Sequence, residues 1–173
     1  RQREMCKRDR YSYLPLQWID LPDIDDRADA SCLASTYEID SRSLGGSRKT
    51  ALHDVRSILQ RSPSLEGTLR RLTALPVDRG SRVAAFCRDL DASLDAILRS
   101  LRPNAYMIWT VGNRRVGGDE VPTAGILTEL LQARGAMAVA QVRRSIPSKR
   151  MATRNSIATT MRVETILVFR KNA

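Results

Sequence analysis

The sequence predicts an α/β fold, a sheet with helices on both faces. Three observations carry that expectation. Apolar residues recur at helical spacing up to Leu101, and then the pattern changes to short continuous runs. Helix-like and strand-like segments alternate from residue 81 to residue 142. Pro103-Asn104, Gly112-Asn113 and Gly135 punctuate the segments where turns are needed.

The elements follow in order. Residues 11–19, YSYLPLQWI, are aromatic and apolar but interrupted by Pro15, and read as a short helix or a packed irregular segment. Residues 20–46 contain Pro, Asp, Ser and Gly45-Gly46 and read as loop, ending at Ser47 as a helix N-cap. Residues 48–61 place Leu52, Val55, Ile58 and Leu59 on one helical face. Pro63 opens a second helix, in which Leu65, Leu69 and Leu72 recur until Pro76. The other face of this pair carries Arg56, Arg61, Arg70 and Arg71.

Residues 81–101 form one apolar stripe through Val83, Phe86, Cys87, Leu90, Leu94, Ile97, Leu98 and Leu101, with Ser81 as its cap and Pro103 as its stop. Ala105–Val111, AYMIWTV, reads as a strand buried on both faces, with Tyr106 and Trp109 in the core. Pro122 opens a helix with Ile126, Leu127, Leu130 and Leu131 inside and Gly135 at its end. Ala136–Val142 and Val163–Phe169 are further strands. A helix joins 105–111 to 136–142, which predicts a parallel pair with a right-handed crossover. No helix separates 136–142 from 163–169, so these can be antiparallel, joined by the basic loop Arg143–Arg162.

Composition narrows the function. Hydrophobic residues make up 42% of the 173 and charged residues 28%, which excludes a disordered or fibrous chain. No apolar run approaches the ~20 residues of a membrane span. The charged start RQREMCKRDR leads into no secretory signal. It lacks an initiating Met, so the natural N-terminus is expected to lie elsewhere. Cys6, Cys32 and Cys87 are too few and too widely spaced for a disulfide framework or a zinc site; Cys87 reads as a core thiol. A lone His53 leaves little room for histidine-based metal or triad chemistry, and no metal site is assigned; nor is any residue assigned as catalytic. A reducing, cytoplasmic setting is expected.

Lys plus Arg number 29 against 19 acids, a net charge of +10, which suits a polyanionic partner such as nucleic acid. The charge is uneven. Residues 20–40 hold seven acids and one Arg, whereas residues 141–173 hold eight basic groups against Glu164 alone. Arg143, Arg144, Lys149, Arg150 and Arg154 sit in or beside the loop between the last two strands, where cations can neutralise phosphates. Asn155 adds a donor and an acceptor for a base edge. Asn113 follows the C-terminal end of a strand, where α/β sheets bind ligands, and is a pocket-lining candidate. Glu164 is expected to pair with Arg162 or Arg144.

The run LRSLRPNAYMIWTVGNRRVGGDEVPTAGILTELLQARGAMAVAQVRRSIPSKRMATRNSIATTMRVETILVFRKN, about 98–172, resembles the S-adenosylmethionine-dependent DNA methyltransferases that modify exocyclic amino groups (N4-cytosine or N6-adenine). Residues 78–97 fit the preceding helix, and RDRYSYLPLQWI is similar to the segment after that family's catalytic loop. The resemblance implies the C-terminal half of a class I methyltransferase (Rossmann-like) sheet, ending in an antiparallel strand hairpin, with a helical insertion. It divides the chain into 1–19, following an absent catalytic loop; 20–77, an acidic loop and helical insertion; and 78–173, the half-domain. Within the insertion, 47–75 is a candidate target-recognition or DNA-backbone element.

The family's Phe-x-Gly-x-Gly-type donor turn and its Pro-Pro-aromatic tetrapeptide do not occur here. Gly45-Gly46 and Gly117-Gly118 lack a strand before and a helix after them. The resemblance therefore implies S-adenosylmethionine as cofactor bound largely outside this chain, and DNA as partner. It also implies a second segment or subunit carrying the missing motifs, with this segment inactive alone. Tyr13 and Trp18 would lie beside the base or the donor's adenine. The rival expectation is a non-catalytic nucleic-acid-binding α/β module, or a decayed methyltransferase subunit.

Overall fold

The structure, a computed structural model, describes residues 31, 38, 42–146 and 163–172. From residue 51 the order is α1 (Ala51–Asp54), α2 (Arg56–Leu59), α3 (Pro63–Thr73), α4 (Gly80–Ser100), β1 (Tyr106–Val111), β2 (Arg114–Val116), β3 (Asp119–Val121), α5 (Thr123–Gln132), β4 (Met137–Ser145) and β5 (Val163–Arg170).

The helix expected over 48–61 is instead two short helices meeting at Val55. The first of them also starts later than expected, and the cause of that late start lies just upstream. Gly45, at φ +80°, lies so close to Phe86 of α4 that a Cβ there would come within 3.1 Å of the Phe86 Cβ. Its N–H donates to Asp89 Oδ2 at 2.8 Å, and Arg88 Nη2 donates to the Ser47 carbonyl at 3.0 Å. These contacts hold the chain as a loop on α4, so Ser47 does not cap a helix. The helix starts only after Thr50, which turns at φ +62°. The buried positions are Ala51, Val55 and Ile58, while the expected Leu52 is exposed.

α3 is built as its sequence directs, with Ser62 as N-cap, Pro63 at the first position, and Leu65, Leu69 and Leu72 buried. α4 buries Val83, Cys87, Leu90 and Leu94 of the expected stripe, together with Ala84 and Ala85. Its start is capped by Asp78, whose Oδ1 accepts from the Ser81 N–H at 3.0 Å, so the capping side chain is Asp78 and not Ser81. α5 ends at Gly135, at φ +78°, where the Ala136 N–H returns to the Leu131 carbonyl at 3.0 Å.

The main sheet has the order β1-β5-β4, and both pairings are antiparallel. β1 and β4 therefore share a direction, as a helix-linked pair should, but they are not neighbours. The last strand fills the space between them, which corrects the expected parallel pair. The β4–β5 pairing is antiparallel, as the short connection suggested. A separate hairpin, β2–β3, was not expected.

Rows of cross-strand partners share a face. Met107, Leu167 and Phe169 face the helices and are buried, joining Leu65, Leu72, Leu94, Leu127 and Leu130 in one core. The opposite face is open, with Ile108 71% and Tyr106 59% exposed. β1 is thus buried on one face only, Tyr106 is not a core residue, and among the described residues the helices lie on one face.

Candidate nucleic-acid interface

The candidate interface is the end of the sheet where β1 and β4 finish and β5 begins. Val111 and Arg143 both lie opposite Thr165, on either side of β5. Two strand spacings separate them, roughly 10 Å. The segment Gly112-Asn113 and the arginines of β4 therefore leave the same edge of the sheet, and the connection to residue 163 leaves it too.

Arg143 and Arg144 are adjacent on an extended strand, so they point to opposite faces. Arg143 is on the helix-side face, opposite Thr165, and is exposed. Arg144 is on the open face, directly opposite Glu164, and its Nη2 donates to Glu164 Oε2. The expected Glu164 pairing is with Arg144. This pair leaves Arg144 with part of its charge already met, although its side chain is 64% exposed.

Asn113 stands at the C-terminal end of β1, as expected, but its amide is in use. Its Nδ2 donates to Glu120 Oε1 at 2.7 Å, and its Oδ1 accepts from the Ala124 N–H at 3.3 Å. The second bond serves the start of α5, whose own N-cap position is Pro122 and has no capping side chain. Lys149, Arg150, Arg154 and Asn155, and likewise Tyr13 and Trp18, lie outside the described residues.

The β2–β3 hairpin places Arg114 and Arg115, both exposed, beyond the end of β1. Its turn is Gly117-Gly118, with φ +62° and +91°. Two glycines at positive φ between two strands make a tight hairpin, and Gly-Gly is one of its sequence signatures. That signal stood in the sequence. The geometry also removes Gly117-Gly118 as a donor-binding turn, since it joins strand to strand. Gly45 packs on α4. The described residues form no glycine-rich strand-to-helix turn, so they do not fit the methyl donor.

Other cations are engaged structurally. Buried Asp91 accepts from Arg134 Nη1 at 2.7 Å and Arg61 Nη2 at 3.0 Å, and Arg134 Nε reaches Asp95 Oδ1 at 2.7 Å. The Arg134 hydrogen bond holds the Asp95 carboxyl below its ordinary range. Arg70 pairs with Glu66 at 2.9 Å, and Arg71 lies 3.9 Å from Asp119. Cys87 is buried, and burial pushes its thiol up to about 12.

No family model matches the chain, and no solved structure matches it. A curated protein does match. The type II methyltransferase M.MvaI of Kocuria varians is 31% identical over 149 residues, which is 85% of this chain. The chain is similar to a methyltransferase. It spans about a third of that relative, 31% of its length. Among the described residues, no helix is long and apolar enough to cross a membrane.

Proposed function

We propose that this chain is part of a DNA methyltransferase that moves a methyl group from S-adenosylmethionine to an exocyclic amino group of cytosine or adenine. The 31% identity to a type II methyltransferase over 149 residues carries this reading. It is supported by the antiparallel last strand and by the excess of basic residues in 141–173. In this reading the chain supplies the C-terminal part of a class I sheet, a wall of the base pocket and a phosphate grip.

Methylating a base amino group requires the base to leave the stack, which costs a few kcal/mol. Cations beside the extruded nucleotide offset part of that cost by neutralising the flanking phosphates. Arg143 and the loop cations Lys149, Arg150 and Arg154 are assigned to this grip, with Asn155 at a base edge. S-adenosylmethionine supplies the methyl group. Its site and the acceptor pair for the amino nitrogen are assigned to a second segment or subunit, largely outside this chain.

The test is methyl transfer from labelled S-adenosylmethionine to duplex DNA. The protein translated from the complete reading frame should label duplex DNA. The 173-residue chain alone should give no incorporation and no calorimetric binding of the donor. A micromolar Kd for the donor on the chain alone would overturn the placement of the donor site. Failure of the complete protein to label any duplex would overturn the reading itself, in favour of a non-catalytic nucleic-acid-binding module.

A further inference from the structure

The β2–β3 hairpin carries two exposed arginines that the fold itself does not use. We propose that this hairpin is a separate grip on duplex DNA, in which Arg114 and Arg115 take two backbone phosphates. The inference deepens the reading above and rests on it for the identity of the partner. It adds an element that the connection between β4 and β5 does not supply.

Each strand of the hairpin has three residues, and two strands of that size are marginal in water on their own. This hairpin is fixed at both ends. At its base, Asn113 Nδ2 donates to Glu120 Oε1 at 2.7 Å while Asn113 Oδ1 accepts from the Ala124 N–H of α5 at 3.3 Å. At its tip, Gly117 lies on the turn before α4, where an added Cβ would stand 2.9 Å from Leu75 Cδ1 and 3.3 Å from Arg79 Cγ. Val116 and Val121 fall on one face and pack against the core. Arg115 and Glu120, directly opposite each other, form the other face and are exposed.

The charges on the hairpin are treated unequally. Opposite charges facing each other across a strand pair attract, as Arg144 and Glu164 do on the main sheet. Here Asn113 takes the Glu120 carboxylate, and Arg115 makes no hydrogen bond or ion pair with the described residues. Arg114 is exposed and likewise unpaired among them. Asp119, the other acid of the hairpin, lies 3.9 Å from Arg71 of α3. Both acids are thus met from within the protein, and both arginines are left to solvent. Arg79, exposed beside the tip, extends the cationic row. A guanidinium presents a planar fork that matches phosphate. A backbone already fixed at base and tip needs no ordering when that phosphate arrives. The hairpin begins three residues after Val111, which lies two strand spacings, roughly 10 Å, from Arg143. A duplex laid across that edge of the sheet meets both.

The experiment compares the protein from the complete reading frame with three double variants. They are Arg114→Ala plus Arg115→Ala, Arg114→Lys plus Arg115→Lys, and, as control, Arg99→Ala plus Arg102→Ala. The control pair is exposed and lies before the start of β1, at the other end of that strand. Fluorescence anisotropy of two labelled duplexes of unrelated sequence reads binding across a salt series. The hairpin alanine double should lower the slope of log K against log salt by about 1.8. The affinity gained between about 200 mM and about 50 mM salt then shrinks about twelvefold. The loss should be equal on both duplexes, because phosphate contacts carry no sequence. The lysine double should keep the wild-type slope, the control should change it little, and melting temperatures should not move. If the alanine double melts early, Arg115→Ala alone serves, with a fall of about 0.9 in the slope. An unchanged slope in the hairpin double, or an equal fall in the control, would overturn the grip. A loss confined to one duplex, or one that lysine does not restore, would mean base reading and overturn the phosphate assignment. A complete protein that methylates DNA and binds it as well with the hairpin double would lose the grip and keep the function. One that loses DNA binding in that double yet transfers no methyl group would do the reverse.

Discussion

Glu129 shows how one side chain can tie two elements together. Its carboxylate accepts from Ser62 Oγ at 2.5 Å, Ser64 Oγ at 2.6 Å and the Ser64 N–H at 3.1 Å, so a residue of α5 closes the start of α3. Ser62 is fully buried. Glu129→Ala removes the acceptor for all three donors and leaves a buried hydroxyl unmatched. Hydrogen bonds to a charged partner are worth about 1.5–3 kcal/mol, so a loss of about 2 kcal/mol is expected in denaturant unfolding. Ser64→Ala, which leaves Ser62 satisfied, should cost less. Cys87 gives a pH dependence of known sign. Its thiol is raised from 9.0 to about 12 in the fold, so the unfolded chain releases that proton first. The contribution is complete below pH 9 and is lost as pH rises toward 12. Cys87→Ala lacks this component. The stability difference between wild type and Cys87→Ala should therefore shrink with rising pH, by up to about 1.4 kcal/mol per unit. A difference constant from about pH 8 to about pH 11 would contradict the burial of the thiol.

At the scale of elements, the sequence told most where the pattern was long. α4 runs Gly80–Ser100 where 81–101 was expected, because 21 residues repeat one stripe many times over. The buried leucines of α3 and α5 were legible for the same reason. Shorter elements were governed by tertiary contacts that no local pattern encodes. α1 starts only after Thr50 because Gly45 and Ser47 are pinned to α4. A continuous apolar run reads the same whether its second face is covered by its own chain or by something else, so the pattern of β1 alone suggests burial on both faces. At the candidate site, the Arg144–Glu164 pair was foreseeable from charge. The engagement of Asn113 by Glu120 and Ala124 was not, because it depends on the unexpected hairpin. That hairpin yields a prediction of its own. At Gly117, with φ +62°, an added Cβ would stand only 2.9 Å from Leu75 Cδ1, while Gly118, at φ +91°, has open space. Gly118→Ala should cost about 1–2 kcal/mol through backbone strain alone. Gly117→Ala should cost at least as much, because Leu75 must also move. A Gly117→Ala that is neutral by chemical denaturation would show that the tip does not pack on Leu75.

For the whole molecule, the question is which of the eight cations in 141–173 can meet phosphate. Arg144 is paired with Glu164, and Lys171 Nζ donates to the Leu101 carbonyl at 2.8 Å. The cations proposed to meet phosphate are Arg143 on the strand and Lys149, Arg150 and Arg154, the last three of which lie outside the described residues, between β4 and β5 in the sequence. If the connection grips DNA, Lys149→Ala plus Arg150→Ala should weaken duplex binding to a similar degree across sequences, because phosphate contacts position without specifying. Each phosphate contact contributes about 0.9 to the slope of log K against log salt, so the double variant should lower that slope by about two. Arg144→Ala should change it much less, since Glu164 already meets that charge. Arg70→Ala plus Arg71→Ala removes the same formal charge from α3, where both side chains stand beside acids. Fluorescence anisotropy of a labelled duplex at several salt concentrations separates the cases. A change of about two confined to the loop double, with unchanged melting temperature, places the backbone against the end of the sheet. Equal losses from the loop and α3 doubles would mean diffuse attraction by the net charge of +10, and the loop would then have no grip of its own.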